Sequence, residues 1–426
     1  MRVLVVGAGG REHALVWRLA RDPSVERVLA APGNAGVARE ASCHDVAADD
    51  TDGLLALIER ERVDLTVVGP EGPLVAGLAD ELSARGQPVF GPSAEGARLE
   101  GSKAWAKDLC KRYGIPAAES LSASTMSDAL EVLDAFGPPY VVKADGLAAG
   151  KGVVITQERD EAVRALERAL LGEEFGEAGS TVVIEEHLAG REVSAFALAD
   201  GATAATLGFA QDFKRIGDHD TGPNTGGMGA YSPVPFVDDA IAERIRADIL
   251  DRTVRALAEE GIPYRGVLYA GLMLTDRGPT VLEFNCRFGD PETQVLMPRL
   301  WSEPAELFLA CARGELGSAP VDLAPGACVT VVLASGGYPG AYDTGFEIGG
   351  LDAAERVEGA TVFHSGTAER QGRVVTAGGR VLSVSATGAS IAEARDRAYE
   401  AGARVSFEGM RHRTDIAAFA AKEERG

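Results

Sequence analysis

The first hundred residues alternate strand and helix with a regularity that few folds permit. RVLVVG (2–7), VERVLAA (25–31) and DLTVVG (64–69) are short apolar runs, and PVFG (88–91) closes the series. Between them EHALVWRLARD, DGLLALIERERV and LVAGLADELSARG carry the apolar period of helices buried on one face. Strands joined through helices pair in parallel, so this segment predicts a doubly wound parallel sheet with ligands at the carboxyl ends of its strands. Those ends are the turn-rich tips GAGGREH (7–13), APGNAG (31–36) and GPEGPL (69–74). Gly7 and Gly9 match the first two glycines of a dinucleotide fingerprint, but Glu12 stands at the third. The second strand ends at Ala30-Ala31-Pro32, with no acid for a ribose hydroxyl. A single phosphate against Gly7, Gly9 and Gly10 at a helix N-terminus fits better than a dinucleotide.

At 426 residues the chain exceeds one core and suggests three or four units. A net charge of −22 opposes binding to nucleic acid or acidic membranes, and makes lysines and arginines among glycines local exceptions. No apolar run reaches the length of a membrane span, and the chain opens directly on a strand, with no signal peptide. Cys43, Cys110, Cys286, Cys311 and Cys328 are scattered and odd in number, so reduced thiols in a cytoplasmic protein are expected.

Beyond residue 100, EGSKAWAKDLCKRYG reads as one helix, and Ile115-Pro116 opens an α+β module running to about residue 190. Its centre is VVKADGLAAGKGVVIT (141–156). This is not a Walker loop: three residues separate Gly146 from Gly150, Gly152 follows Lys151 where a hydroxyl should stand, and GVVIT reads as a strand. Strand, glycine loop, strand makes a hairpin whose tip can fold over phosphates. EVSAFALAD and ATAATLGFA predict paired antiparallel strands joined by Asp200-Gly201. The glycine-rich stretch 218–235 has no strand or helix period, and loops that long inside a domain are usually functional. A helix over about 238–260 and strands GVLYAGLMLT and TVLEFNCRFGD follow. After about residue 325 the chain is β-rich, with Gly378-Gly379 as a hairpin turn and one helix, SIAEARDRAYEAG.

In VLEFNCRFGD the two-residue period of a strand puts Glu283, Asn285 and Arg287 on one face and Phe284, Cys286 and Phe288 on the other. The carboxylate and amide oxygens suit a Mg²⁺ that takes its other ligands from phosphate and water. Arg287 can clamp transferring phosphate charge. Lys103, Lys143 and Lys151 lie in GSK, VVKAD and AAGKG; Lys143, among valines, is unusual to bury without an anion. In VVIEEHLAGRE, Glu185, Glu186, Leu188 and Glu192 follow a strand end where backbone can read an adenine edge. Lys214 sits in QDFKR, beside the glycine-rich stretch. The six histidines form no metal spacing and are read as structural or surface residues.

These motifs in this order resemble the ATP-grasp superfamily and, over nearly the whole chain, its phosphoribosylamine–glycine ligase (glycinamide ribonucleotide synthetase) family. The resemblance rests on VVGAGGREHAL, APGNAG, VVGPEGPLV, VVKADGLAAGKGV, VIEEHLAGRE, DTGPNTGGMGAYSP, VLEFNCRFGDPETQ and ASGGYPG. It implies an N-terminal α/β domain (1–102), a two-lobed ATP-grasp region (103–325, lobes about 118–190 and 191–325) and a β-rich C-terminal domain (326–426). It implies a monomer using ATP with Mg²⁺ or Mn²⁺ to join glycine to 5-phosphoribosylamine through glycyl phosphate, the second step of purine synthesis.

Carried over residue by residue, Lys103, Lys143, Lys151 and the glycines Gly146, Gly150 and Gly152 would hold phosphates. Glu185, the backbone of Glu186 and Leu188, and Glu192 would hold adenine and ribose. Glu283 and Asn285 would hold the metal. Arg287, Lys214 and Asp212 would serve catalysis, and Gly9, Gly10, Arg11, Asn34, Glu71, Asn224 and Asp290 the phosphoribosylamine. Many relatives have a metal-binding acid on the preceding strand where this chain has Gly271, so only two protein ligands are expected.

Overall fold

The computed structural model describes residues 1–147, 152–172 and 180–425. Gly150 and Lys151 of the expected phosphate hairpin lie outside the described residues.

The N-terminal alternation forms a parallel five-stranded sheet in the order Ser42–Cys43, Arg27–Pro32, Arg2–Gly7, Leu65–Val68, Val89–Phe90. Chain order reverses beside Arg2–Gly7, so the tips after Gly7 and Val68 flank the crevice where such sheets take ligands.

The module around the hairpin is a four-stranded antiparallel sheet, Ser120–Ala123, Val182–Glu185, Tyr140–Ala144 and Val153–Thr156. Helices Met126–Phe136 and Arg159–Leu170 bury Leu133, Ala162 and Leu166 with Val142 and Ile184 of this sheet.

The remaining large element is one eight-stranded sheet: Gly278–Asn285, Arg265–Thr275, Arg191–Asp200, Ala204–Asp212, Gly229–Ser232, Ala327–Ala334, Arg380–Gly388, Ala360–His364. It crosses the expected boundary near residue 325 without interruption.

Several expectations are corrected. The 74–86 helix is two, Glu71–Val75 and Leu78–Ala84, split at Gly77, whose φ of +89° no helix accommodates. The 100–114 helix is also two, Ala94–Gly101 and Lys103–Tyr113. Ser102 between them is extended, and its hydroxyl caps Trp105 N–H. The 218–235 stretch contains two strands: Thr221–Asn224, paired with Arg215–Gly217, and Gly229–Ser232, wedged between Ala204–Asp212 and Ala327–Ala334. Gly-Ala-Tyr-Ser has little strand propensity of its own; ladder bonds on both edges and complete burial impose the conformation. Gly378-Gly379 is not a hairpin turn. Arg373–Thr376 pairs with Thr367–Arg370, while Arg380–Gly388 pairs with the two strands of the large sheet. The C-terminal part also holds helices Leu351–Glu355 and Ala418–Arg425 besides Ile391–Gly402. The helix over 238–260 runs through with a π turn at Ile245–Leu250.

Among the described residues, no helix is long and apolar enough to cross a membrane.

Candidate active site

Pairing in the eight-stranded sheet collects the polar residues on one face. Asn285 lies opposite Tyr269, Glu283 opposite Gly271, Gly271 opposite Ser194 and Ser194 opposite Ala210. Paired residues share a face, and so do residues two apart, which adds Glu192 and Asp212. The other faces of these strands supply Val193, Ala195, Ala270 and Phe284 to the core. Strand periodicity and antiparallel register thus build a floor from four strands, with Gly271 leaving its centre open.

Glu283 is the acid at that centre. Burial works against its charge, but Lys214, Lys143, Lys103 and Arg287 outweigh it and hold the carboxyl below the usual range. Asn285 accepts from Arg287 Nη2 at 3.2 Å. The Arg287 guanidinium also meets Glu71 at 3.1 Å and Glu100 at 2.8 Å, so two acids of the N-terminal half fix it. Burial raises the Glu100 pKa despite Arg287, while at Glu71 the pull of Arg287 and Arg11 overcomes burial and lowers it. A carboxylate beside an amide oxygen, with no group of three or more metal-ligating acids, histidines or cysteines among the described residues, suits a hard cation that draws most ligands from phosphate and water.

Above the floor lies a lysine cluster. Lys143 and Lys107 share Glu185 Oε2 at 2.9 and 3.1 Å, all three nearly buried, and Lys143 also donates to Leu282 O at 3.1 Å. The anion that Lys143 needs for burial is therefore Glu185, with Lys107 as a second cation. Glu185 Oε1 is sealed without a hydrogen bond. Lys103 donates to Gly146 O at 2.8 Å, and burial lowers its pKa and that of Lys107. Gly146 has φ +90°, a left-handed turn that starts the hairpin tip, and Ala144 N–H bonds Gly152 O where the strands part. Asp145 accepts from Ser102 Oγ and Ala104 N, both at 3.0 Å, tying hairpin to helix.

Glu186 spends its N–H on Glu119 O and its carboxylate on Glu119 N and Arg277, which leaves its carbonyl for a base edge. Leu188, buried, lies just beyond. Glu192 pairs with Lys214 at 2.9 Å. Burial pushes the Asp212 pKa up to about 7 against the pull of Lys214, with Glu292 and Glu192 adding to the rise. At Lys214 burial opposes charge, but Asp212 and Glu192 hold the ammonium pKa well above normal. Asn224 is exposed on its ribbon, while Thr225 next to it donates twice to Lys214 O.

At the crevice of the parallel sheet, the N-terminus of Gly10–Leu19 is filled by the chain's own anion. Gly9 N–H donates to Glu12 Oε2 at 2.6 Å, and Gly7, Gly9 and Gly69 crowd that carboxylate where any side chain would collide with it. Arg11 turns inward, to Glu12 Oε1 at 2.6 Å and Phe288 O at 3.2 Å. Asn34 donates to Ala8 O and His364 O, both at 2.8 Å, and its oxygen takes the Gly36 and Val37 N–H groups. Arg11 and Asn34 thus brace the crevice in this structure. Asp290 lies next to Gly9, pairs with Arg380 at 3.1 Å and accepts from Gln294; Arg380, Arg11 and Gln294 outweigh burial and lower its pKa.

Reading the sequence missed Glu12, Glu100, Lys107, Glu292 and Arg380. Lys107 had a signal, its four-residue spacing from Lys103 in KAWAK. Glu12 had one too, as an acid three residues after Gly9 in a capping-box position; Glu100, Glu292 and Arg380 lie far along the chain from their partners.

Three family models match the chain: the phosphoribosylglycinamide synthetase N domain over 1–100, its ATP-grasp (A) domain over 101–293 and its C domain over 328–419. The chain is 49% identical to a phosphoribosylamine–glycine ligase of Vibrio vulnificus over 98% of this chain and 97% of that one. It is 52% identical to one of Streptomyces coelicolor, over 99% and 100%. A crystal structure of phosphoribosylamine–glycine ligase from Thermotoga maritima matches with TM-score 0.86 at 40% identity, over 98% of this chain and 100% of that one. A biotin carboxylase domain of Hydrogenobacter thermophilus, solved with MgADP, shares the fold at TM-score 0.73 and 18% identity, over 96% and 91%.

Proposed function

This chain belongs to the phosphoribosylglycinamide synthetase family, and on that footing we propose how its cleft performs the ligation. The enzyme is a carbon–nitrogen ligase that joins glycine to 5-phosphoribosylamine at the expense of ATP, giving glycinamide ribonucleotide, ADP and phosphate. The observation that carries the residue assignment is the single sheet face bearing Glu192, Asp212, Glu283 and Asn285 beside the buried lysines.

ATP lies between the hairpin sheet and the large sheet, its phosphates toward Lys103, Lys143 and the glycines Gly146 and Gly152, with Gly150 and Lys151 as further phosphate ligands by resemblance to the family. Glu186 carbonyl and Leu188 backbone take the adenine edge, and Glu185 Oε1 is an acceptor still in need of a donor. Glu192 takes the ribose. Glu283 and Asn285 hold Mg²⁺ or Mn²⁺, which when bound screens the phosphate charge. Asp212 and Lys214 orient the reacting carboxylate, and Arg287 fixes the Asn285 oxygen.

A glycine carboxylate oxygen attacks the γ-phosphorus and ADP leaves, giving glycyl phosphate. The neutral amine of phosphoribosylamine then attacks the acyl carbon, the C–O bond to phosphate breaks, and the amide forms with loss of a proton. Both steps need positioning and charge stabilisation more than a covalent nucleophile.

Gly9, Gly10, Arg11, Asn34 and Glu71 of 1–102, with Asn224 and Asp290 of 103–325, border the phosphoribosylamine; 103–325 also takes ATP, and 326–426 closes the crevice. All five thiols are free, in keeping with a reducing cytoplasmic compartment.

ADP release from ATP and Mg²⁺, with glycine, phosphoribosylamine generated in situ, or both, tests the reading. Release that needs both substrates supports it. Release with formate or bicarbonate in place of glycine moves the protein to another carboxylate–amine ligation.

A further inference from the structure

Nearly every acid around the cleft has a cation of its own. Glu12 has Arg11, Glu71 and Glu100 share Arg287, Glu185 has Lys107 and Lys143, Glu192 has Lys214, and Asp290 has Arg380. Asp212 and Glu283 lie in the field of Lys214. Glu292 differs. It is 3% exposed, yet no basic side chain stands within ion-pair distance of it among the described residues.

Its two oxygens are unlike. Oε1 accepts from the Tyr269 hydroxyl at 2.8 Å and from Ser194 Oγ at 3.2 Å, and those hydroxyls are 3.0 Å apart. Among the described residues Oε2 accepts no hydrogen bond, and it is not sealed from solvent. A Cβ on Gly289 would stand 2.5 Å from Oε2, so that glycine keeps the approach clear. Tyr269 lies opposite Asn285 and Ser194 opposite Gly271, which puts both anchoring hydroxyls on the same face as Glu283 and Asn285. A buried carboxylate without a cation is costly, so one held rigid with an oxygen free implies a cation supplied from outside the chain.

We propose that Glu292 Oε2 receives the α-ammonium of the amino-acid substrate, with Tyr269 and Ser194 as positioning residues. The proposal rests on the glycine ligase reading and deepens it. In glycine one carbon separates ammonium from carboxylate, so both ends fall within this one cluster: the ammonium at Glu292, the carboxylate toward Lys214 and the phosphates. The phosphoribosylamine nitrogen is a poorer match, because it must attack as a neutral amine and a carboxylate would favour its protonated form.

The test compares wild type with Glu292→Gln, which keeps an oxygen for both hydroxyls and removes the charge. ADP release is measured while glycine, ATP and phosphoribosylamine are varied in turn. Glycolate, with a hydroxyl in place of the ammonium, serves as competitor. Glu292→Gln should raise the glycine KM about 100-fold, while KM for the other two substrates and glycolate inhibition change less than about threefold. Tyr269→Phe keeps the charge but loosens its anchor, and should raise the glycine KM about fivefold with ATP unaffected.

A glycine KM unmoved in either variant overturns the proposal. So does equal weakening of glycine, glycolate and ATP in Glu292→Gln, the mark of a merely structural role. A wild-type enzyme that releases ADP without needing glycine would overturn the ligase reading itself, a result visible before any variant is made.

Discussion

Lys143 is the residue on which two demands meet. Its burial is compatible with charge only because Glu185 lies 2.9 Å away, and Lys107 on the far side of that carboxylate leaves the trio with one net positive charge for a phosphate. Replacing Lys143 with Met should therefore weaken ATP binding by about 10- to 100-fold, or ~1.4–2.7 kcal/mol, in a direct titration; near-native affinity would remove it from the phosphate site. Glu283→Ala tests the metal pair separately. The Mg²⁺ concentration for half-maximal ADP release should rise at least about tenfold, because one of two protein ligands is gone; an unchanged requirement would strike Glu283 from the ligands. Glu283, Asn285 and Arg287 were legible because strand alternation is a local rule. Glu100 was not, since its contact with Arg287 joins a helix to a strand end 187 residues away, which only packing brings together.

At the scale of elements, the break at Ser102 matters more than the helices on either side. A single helix over 100–114 would carry the chain straight past the hairpin. The extended Ser102 instead redirects it, and Asp145 caps the new helix through Ala104 N while holding Ser102 Oγ. That cap sets Lys103 against Gly146 and Lys107 against Glu185. Asp145→Ala should cost about 1–2 kcal/mol in denaturant unfolding and raise the ATP KM more than the glycine KM. Equal effects on both would mean that the cap stabilises without positioning. No local pattern fixes the break, because Ser102's partner Asp145 lies 43 residues on.

For the whole molecule the decisive feature is the sheet that runs from Gly278–Asn285 to Ala360–His364. Cutting the chain after residue 325 would strip Gly229–Ser232 of one neighbour and expose a buried edge, so the 1–325 fragment should be insoluble or lack cooperative unfolding. A soluble fragment with a sharp transition would show that the C-terminal part is dispensable for folding.

The same assembly fixes a pair of histidines between N- and C-terminal parts. His364 N–H donates to His13 Nδ1 at 2.7 Å, and burial, aided by Arg39, lowers the His364 pKa to about 4. The unfolded chain takes up this proton near pH 6.5 and the folded one does not, so stability is present above that pH and is lost as pH falls toward 4. The contribution is ~3 kcal/mol at most. Urea titrations at pH 7 and pH 4.5 should show a smaller loss for His364→Gln than for wild type; parallel losses would assign the acid sensitivity elsewhere.

Local sequence pattern sets the parallel N-terminal sheet, the hairpin and the polar face of Gly278–Asn285, because each follows from periodicity within a few residues. It also carried the family, because the motifs lie in order along the chain. Packing alone sets Glu185 against Lys143, leaves a Glu292 oxygen free, and makes Gly229–Ser232 a strand at all. These are contacts between residues distant in sequence, and burial sets their energies. No local pattern records which charges will end up together once water is excluded.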